Sequence, residues 1–376
     1  MTLYLTEKLS RQLSLGNLRQ LAIRQNLIDF SSNDYLGLAR SSDLAKSVSE
    51  EFERHVGLLH LNGLGSTGSR LLTGNSTYAQ DLEDKIAHFH HYEAGTLFNC
   101  GYMANVGLLS TVASDEDTIL FDVGVHASTH DGIHLSGAKA FAFKHNDLEH
   151  LENRLRSCSL TKNCFICVES IYSTDGSKSP LKEVSQLAEK YSAHLIVDEA
   201  HAVGVCGSSG RGCVAELNLT SKIFAQINTF GKALGTHGAI VLGNHTLKQA
   251  LVNFARPYIY TTALPFYSLA AIKCSYDLLP SFETQRENLQ ELIQLFRKVR
   301  DDEKTSETHI QSVKIAGNES VKISAEKLMQ KGFDVRALTS PTVKRGREIL
   351  RICLHAYNTK DELLALLKVI ESINRS

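Results

Sequence analysis

Short apolar segments recur along the first two thirds of the chain and alternate with amphipathic stretches. Most of these segments are apolar throughout, which is typical of strands that are covered on both faces of a parallel sheet. The pattern therefore predicts an α/β protein with a mostly parallel sheet. The predicted strands lie at residues 95–98, 118–121, 164–169, 194–198 and 222–227.

Apolar residues at helical spacing predict helices between and after these strands. Leu44, Val48 and Phe52 share one helix face, and a longer helical pattern covers residues 269–296. Another helix is predicted near residues 319–331, where a glycine follows. These signals indicate that the last third of the chain has a different architecture from the first part.

The last predicted helix carries its own start signal. Thr359 is followed three residues later by Glu362, the spacing of a capping box, and the apolar residues from Leu363 to Ile370 supply its buried face. We therefore predict a large α/β domain, a linking helix and a small C-terminal α+β domain. The predicted segments are an N-terminal segment (1–29), the large domain (30–265), the linking helix (266–300) and the small domain (301–376).

Composition and charge exclude several classes of function. The chain has 376 residues, of which 43% are hydrophobic and 22% charged, and its formal net charge is -1. This balance gives no electrostatic reason to expect nucleic acid or an anionic membrane as a partner. Residues 1–14 are interrupted by Glu7, Lys8 and Arg11, and no segment reaches the roughly 18 apolar residues of a membrane helix. A cytoplasmic protein is the simplest interpretation.

The eight cysteines are scattered and do not form the dense pattern of a disulfide scaffold. Cys164 and Cys167 form a C-x-x-C, which redox or metal sites use, but they fall within a predicted buried strand. Side chains three residues apart on a strand face opposite sides of the sheet. We therefore expect these two cysteines to be inert and buried.

Lys232 lies in a turn after the last predicted strand, between Gly231 and Gly235. Glycines allow a tight bend and a close approach to a ligand, and a partly desolvated lysine can form a Schiff base with an aldehyde. Most lysines are simply solvated, and turns often contain glycine. The motif alone leaves both interpretations open.

Asp198 ends another predicted strand and is followed by Glu199, Ala200 and His201. A buried carboxylate needs a cationic partner, and the protonated ring nitrogen of pyridoxal phosphate (PLP) would be one. A helix N-cap is the ordinary alternative for such an aspartate. Asp-Glu-Ala-His also matches the Mg-binding box of one helicase class, but the chain has no G-x-x-x-x-G-K-[ST] loop to hold phosphates.

Residues 99–105 (Asn-Cys-Gly-Tyr-Met-Ala-Asn) leave a predicted strand and enter a predicted helix. Backbone N–H groups at such a helix start can bind a phosphate, and Thr229, Thr261 and Thr262 could add hydroxyl donors. An ordinary strand–helix turn would have the same local sequence.

His126, His130 and His134 recur every four residues, so a helix would align them as possible metal ligands. No nearby cysteine or carboxylate completes a set of four ligands. We expect no metal here, and His126 is better explained as a flat ring that stacks on another ring.

Together and in this order, these motifs resemble the α-oxoamine synthases, a branch of the fold-type I PLP enzymes. The resemblance extends from about Phe30 to the C-terminus and includes residues 30–38 (Phe-Ser-Ser-Asn-Asp-Tyr-Leu-Gly-Leu), 65–70 (Gly-Ser-Thr-Gly-Ser-Arg), 73–75 (Thr-Gly-Asn) and 173–176 (Ser-Thr-Asp-Gly). It implies a PLP-dependent transferase that acts as a homodimer with shared active sites.

The resemblance also suggests substrates. Residues 65–70 and 235–239 favour the members that condense L-alanine with pimeloyl-CoA, or a pimeloyl-carrier thioester, in biotin biosynthesis. The N-terminal segment is shorter than is usual in the family, which leaves the acyl substrate open. Alternatives are another member such as glycine C-acetyltransferase, a plain aminotransferase or lyase, or a PLP-binding protein without activity.

The resemblance implies a role for each matching residue. Lys232 would be the Schiff-base lysine, His126 would stack on the cofactor ring and take part in catalysis, and Asp198 would pair with the ring nitrogen. The remaining implied cofactor contacts are His201 (phenolic oxygen), Ser173 (beside the ring), Gly101, Tyr102 and Thr229 (phosphate), and Thr261 and Thr262 (phosphate of the neighbouring subunit). Asn33 and Arg351 would bind the amino acid carboxylate, a task that suits a planar guanidinium.

Overall fold

The computed structural model describes residues 2–56, 64–158, 162–300 and 305–375. The chain divides into two compact units. The first contains Met1–Asn33, Ser173–Ser177 and Glu287–Ser376, and the second contains Asp34–Tyr172 and Lys178–Arg286.

The strands are short, and most of them are buried. In chain order they are β1 (Ile28–Asp29), β2 (Ala94–Phe98), β3 (Thr118–Asp122), β4 (Lys139–Phe143), β5 (Cys164–Glu169), β6 (His194–Asp198), β7 (Ala225–Thr229), β8 (Ala239–Gly243), β9 (Ile310–Lys314), β10 (Phe333–Asp334), β11 (Arg336–Leu338) and β12 (Ile349–Cys353).

The α-helices alternate with the strands in the second unit. In chain order they are α1 (Thr2–Ser14), α2 (Ser42–Val56), α3 (Thr77–Phe89), α4 (Gly101–Val112), α5 (Ala127–Ser136), α6 (Leu148–Ser157), α7 (Leu181–Lys190), α8 (Cys213–Glu216), α9 (His245–Phe254), α10 (Arg256–Ile259), α11 (Phe266–Leu278), α12 (Glu283–Arg300), α13 (Asn318–Gln330) and α14 (Lys360–Arg375). Among the described residues, none of these helices combines the length and the apolar character needed to cross a bilayer.

The second unit is built on a seven-stranded sheet in the order β2-β8-β7-β6-β5-β3-β4. Strands β4, β3, β5, β6 and β7 pair in parallel, whereas β8 pairs antiparallel with both β7 and β2. All six residues of β5 are buried, as expected for a central strand covered on both faces. The prediction of an α/β fold with a mostly parallel sheet is confirmed.

The sheet topology brings several chain segments to one edge. Strands β2, β6 and β7 run in the same direction, so their carboxyl ends, at Phe98, Asp198 and Thr229, lie on the same side of the sheet. Helix α4 starts three residues after β2 ends. In open α/β sheets, ligands bind at this edge.

The first unit contains a three-stranded antiparallel sheet with β12 in the centre, between β11 and β9. The predicted capping box is confirmed, because the Thr359 N–H donates to Glu362 at 2.7 Å and the Glu362 N–H donates to the Thr359 hydroxyl at 3.1 Å. Helix α14 follows and buries Leu363 and Ile370. The prediction of a small C-terminal α+β domain is confirmed.

Two details of the predicted elements differ from the structure. The helical pattern over residues 266–300 forms two helices, α11 and α12, separated by a short 3-10 turn at Leu279–Ser281. The strand predicted at 222–227 begins only at Ala225, because Thr220–Lys222 form another 3-10 turn.

Cys164 and Cys167 are buried in β5. Within the described residues, all eight cysteines are thiols rather than disulfides. Burial raises the pKa of the Cys167 thiol to about 12, so almost no thiolate is present at neutral pH. The prediction that this C-x-x-C is inert agrees with its position.

Candidate active site

Lys232 lies in the turn of the β7–β8 hairpin. The turn is fixed by main-chain hydrogen bonds, since the Phe230 N–H donates to Gly238 O at 2.9 Å and the Gly235 N–H donates to Lys232 O at 2.8 Å. Gly235 has a φ of 65°, in the left-handed region that glycine tolerates. The hairpin therefore holds the lysine at the ligand-binding edge of the sheet.

The amine of Lys232 contacts a buried histidine. Lys232 Nζ lies 2.9 Å from His201 Nε2, and His201 Nδ1 lies 2.7 Å from the hydroxyl of Tyr35. Both His201 and Tyr35 are buried. The tyrosine thus orients the imidazole toward the lysine.

Asp198 is buried at the end of β6 and accepts two hydrogen bonds. The Asn105 side-chain amide donates to Oδ2 at 2.9 Å, and the Ala200 N–H donates to Oδ1 at 2.9 Å. The strand end therefore holds a carboxyl group with two fixed donors in a place that water barely reaches.

The neighbouring Glu199 has a different environment. It is fully buried, and the N–H of Val214 donates to its Oε1 at 3.4 Å. Burial raises the pKa of this carboxyl to about 8, so it is mostly protonated at neutral pH. A neutral buried acid is a poor magnesium ligand, which argues further against the helicase interpretation.

At the start of α4, the backbone is not covered by a side chain of its own. A Cβ at Gly101 would lie 2.4 Å from Thr229 Cγ2, so only glycine fits there. The N-cap residue, Cys100, makes no side-chain capping bond to the first turn. The N–H groups of Gly101 and Tyr102 and the hydroxyl-bearing Thr229 are therefore close to one another, as an anion site requires. The Tyr102 side chain is itself exposed, and its hydroxyl donates to Asp131.

His126 precedes α5 and serves as its N-cap. Its Nδ1 accepts from the Ser128 N–H at 3.2 Å and lies 2.8 Å from the Ser128 hydroxyl. Partial burial lowers the pKa of His126 and the nearby Lys232 cation lowers it further, while Asp198 opposes them. The imidazole is therefore neutral at pH 7 and lies within electrostatic range of both other groups.

His130 and His134 lie on α5 and are exposed. Over the described residues, neither of them nor His126 belongs to a group of three potential metal ligands. His130 instead packs edge-on against Phe121, with ring centroids 5.1 Å apart.

Thr261 and Thr262 contact Asn99, two residues before α4. The Asn99 amide donates to Thr261 Oγ1 at 3.4 Å and to Thr262 O at 2.8 Å. Their predicted contact with the phosphate of a neighbouring subunit stays a prediction.

In the first unit, Asn33, Ser173 and Arg351 lie together. Arg351 Nη2 donates to Asn33 Oδ1 at 3.1 Å, and Arg351 Nε donates to Ser173 O at 2.6 Å. The guanidinium is thus held by two partners from distant parts of the sequence.

The sequence motifs predict no role for Asn105 or Tyr35. Asn105 follows Gly101 by one helical turn, and its amide reaches both Gly101 O, at 3.3 Å, and Asp198. A polar residue on the buried face of an apolar helix needs a partner, and that was the signal available in the sequence. Tyr35 lies inside the 30–38 motif, but nothing local indicates its contact with His201.

Replacing Asn105 with alanine is expected to weaken cofactor binding by about tenfold or more, because one lost hydrogen bond to a buried charge costs about 1.5–3 kcal/mol. Equilibrium dialysis of PLP against the variant measures this. Asn253→Ala is the control, since the Asn253 amide lies on α9 and donates to Gln249 O of the same helix at 2.8 Å. Unchanged affinity in Asn105→Ala would show that this amide does not support Asp198.

The fold and these side chains define a PLP-dependent transferase of fold type I. The family model for aminotransferase class I and II matches residues 25–370. An 8-amino-7-oxononanoate synthase from Emericella nidulans is 39% identical over 366 residues, covering 91% of this chain and 88% of that protein. The chain therefore belongs to the class I and II aminotransferase family and, within it, to the α-oxoamine synthases.

Solved structures agree. A serine palmitoyltransferase variant from S. paucimobilis with a bound PLP–myriocin aldimine is 26% identical, with a TM-score of 0.88, and the match covers 99% of this chain and 96% of that one. The 8-amino-7-oxononanoate synthase of Francisella tularensis is 30% identical with a TM-score of 0.79, covering 93% and 98%. The protein is accordingly a PLP-dependent acyltransferase.

The residues at the sheet edge fit PLP. A bare helix start with a threonine beside it suits a phosphate, a buried carboxylate suits a protonated ring nitrogen, and a lysine amine suits an aldehyde. These three features belong to the second unit.

Proposed function

We propose that the protein condenses L-alanine with pimeloyl-CoA, or a pimeloyl-carrier thioester, to form 8-amino-7-oxononanoate in biotin biosynthesis. The curated relatives carry this proposal, because they match nine tenths of the chain at 36–39% identity and bear that name. The site supports it, since every position that the chemistry needs holds a competent side chain.

We propose that Lys232 binds the PLP aldehyde and that Asp198 binds the ring nitrogen. Gly101, Tyr102 and Thr229 would hold the phosphate, His201 would contact the phenolic oxygen, and Ser173 would lie beside the ring. PLP supplies an electron sink for the negative charge that develops at the α-carbon of the amino acid. Asp198 strengthens that sink by keeping the ring nitrogen protonated.

The side chains of the protein then handle the protons and the substrates. The Lys232 amine, released when the amino acid takes its place, removes the α-proton of L-alanine and later returns a proton to the product. His201 Nε2 lies 2.9 Å from the amine and so helps to orient it. Asn33 and Arg351 bind the substrate carboxylate.

His126 would stack on the cofactor ring and donate its remaining N–H to the oxygen of the thioester carbonyl. A carbon–carbon bond forms between the α-carbon and the acyl carbon, and the thiol leaves. The resulting β-keto acid loses its original carboxylate as CO2. We also propose a homodimer in which Thr261 and Thr262 reach the phosphate of the partner subunit.

A second candidate is a serine palmitoyltransferase-type reaction of L-serine with a long-chain acyl thioester. The higher TM-score of the serine palmitoyltransferase structure favours it, 0.88 against 0.79. The sequence identity favours the first candidate, because it is 39% to the curated synthase and 26% to the palmitoyltransferase.

A substrate matrix distinguishes the candidates. The PLP-loaded protein is incubated with L-alanine, glycine or L-serine, each combined with pimeloyl-CoA, acetyl-CoA or palmitoyl-CoA. Release of free thiol and CO2 is measured, and the product is identified by mass. We expect the highest kcat/KM for L-alanine with pimeloyl-CoA, and faster turnover of L-serine with palmitoyl-CoA would replace the first candidate by the second.

A further inference from the structure

A cluster of two thiols and a carboxylate lies in the loop that follows His201. Cys206 belongs to this loop, Cys213 is the first residue of the short helix α8, and Glu216 is the last. The two sulfur atoms and a carboxylate oxygen all lie within 4.8 Å of one another. We propose that these three residues bind a thiophilic divalent cation, for which Zn²⁺ is the appropriate probe.

The loop is folded so that the ligands meet before any ion is bound. The Cys206 N–H donates to Ala202 O at 2.8 Å, and the Gly212 N–H donates to Cys206 O at 2.8 Å. This second bond joins the two ends of the loop next to Cys213. Gly207 has a φ of 72°, and a Cβ there would lie 2.6 Å from Gly212 O. The backbone conformation therefore needs glycine, and it keeps Cys206 next to Cys213.

Cys213 and Glu216 are three residues apart on one helical turn, so their side chains project from the same face. Cys206 approaches that face from the other arm of the loop. Two residues of α8 and one residue of the preceding loop thus supply three ligands from two sides of a single short segment.

The ligand chemistry favours zinc. Thiolate sulfur and carboxylate oxygen are both zinc ligands, and thiolates disfavour Mg²⁺ and Ca²⁺. Three protein ligands leave a fourth tetrahedral position for water. Cys206 is half-buried and Glu216 is exposed, so solvent reaches the cluster from one side. Glu216 also lines a surface groove of about 950 Å³, together with Ser208 and Arg211.

The proposed metal site lies next to the turn that contains Lys232 and is not part of that turn. A Cβ at Gly204 would lie 2.7 Å from Ala233 Cβ, so the start of the loop packs directly against the residue after Lys232. The Gly204 N–H also donates to Gly210 O at 2.8 Å, within the same loop. A bound ion would therefore fix the loop that packs against the turn containing Lys232, without contacting the reacting atoms.

The chain contains a matched control. Cys158 and Cys164 are a second pair of neighbouring thiols, and the Cys158 thiol donates to Arg154 O at 3.4 Å. Within the described residues, that pair is not part of a group of three ligand atoms. Zinc uptake that required only two adjacent thiols would occur at both cysteine pairs. Uptake at the proposed site also requires the Glu216 carboxylate.

The test uses the PLP-loaded protein, reduced with a thiol-free phosphine. We expect equilibrium dialysis with metal analysis to find one Zn²⁺ per chain. Cys206→Ser removes a direct ligand. It should therefore weaken zinc binding by more than the roughly 10–100-fold that is typical for the loss of an outer-shell partner. Glu216→Gln should also weaken it, and Cys158→Ser should leave it unchanged. Cys206→Ser and Glu216→Gln both change accessible side chains. They therefore decide the result even if a third variant, Cys213→Ser, fails to fold.

Co²⁺ provides a second readout, because tetrahedral thiolate coordination gives ligand-field bands in the red, away from the absorbance of the cofactor. These bands should be present in the wild type and Cys158→Ser and absent in Cys206→Ser. The proposal is overturned if the reduced protein takes up no zinc in excess metal, if Cys206→Ser binds zinc as tightly as the wild type, or if Cys158→Ser loses it equally. A Cys206–Cys213 disulfide in a protein that takes up no zinc when reduced would overturn it as well.

Discussion

Lys232→Ala is expected to abolish turnover and to leave the cofactor without a covalent link to the protein. The variant loses the amine that captures the aldehyde and, with it, the base that moves the α-proton. General base catalysis alone contributes about 10²–10⁴-fold, so kcat should fall by at least about 10²-fold from the lost base and further because the covalent link to the cofactor is lost. The absorbance of the lysine-linked cofactor should disappear in parallel.

Borohydride reduction followed by peptide mass analysis checks the covalent link directly. In the wild type, the mass of the reduced cofactor should appear on the peptide that contains Lys232, and in the variant on none. Lys182→Ala is the matched control, because Lys182 is exposed on α7. A Lys232→Ala protein that kept both the absorbance and the turnover would end the assignment.

Asp198→Asn should lower kcat by about 10³-fold while the fold is retained. The replacement keeps the shape of the side chain but removes the charge that holds the ring nitrogen protonated. Two unit charges at about 4 Å interact by about 4 kcal/mol at an effective dielectric constant of about 20, which corresponds to about three orders of magnitude in rate. Steady-state kinetics at saturating PLP measure the loss.

Asp117→Asn is the control for Asp198→Asn. Asp117 is also a buried carboxylate, but it accepts hydrogen bonds from Ser114 and Asn163 at the start of β3. Its replacement should affect stability and leave kcat nearly unchanged. If Asp198→Asn retained kcat within tenfold of the wild type, the ring-nitrogen contact would have to be abandoned.

Those parts of the site that depend on local sequence could be predicted. A lysine between glycines, a carboxylate at a strand end and a glycine at a helix start each follow from a few consecutive residues, and the structure of the second unit has all three at one sheet edge. The α/β class was predictable for the same reason, since strands such as β5 are apolar at every position.

Contacts between distant residues could not be predicted. Asn105 and Asp198 are 93 residues apart, and Tyr35 and His201 are 166 apart. Strand β4 was missed because it lies at the edge of the sheet, where its residues are mostly exposed and carry no strong apolar signal. Strand β8 was missed because its apolar residues follow the lysine turn so closely that they read as part of it.

The compact units also divide the chain in ways that periodicity cannot detect. Residues 173–177 join the first unit although the segments on both sides of them belong to the second. Gly176 explains part of this, because Thr308 and Ser306 donate hydrogen bonds to its carbonyl at 2.9 and 2.7 Å. Our boundaries at residues 29, 265 and 300 stay a prediction based on pattern alone.

The short amide of Asn105 has a consequence for which ligands the pocket can accept. It connects the main-chain oxygen of Gly101 at the start of α4 to the carboxylate of Asp198 at the end of β6, and so ties the two elements together. On the proposed placement of PLP, these elements would hold the phosphate and the ring nitrogen. A vitamer that lacks the phosphate would then contact only one of them, and the framework rather than a movable side chain would distinguish the two vitamers.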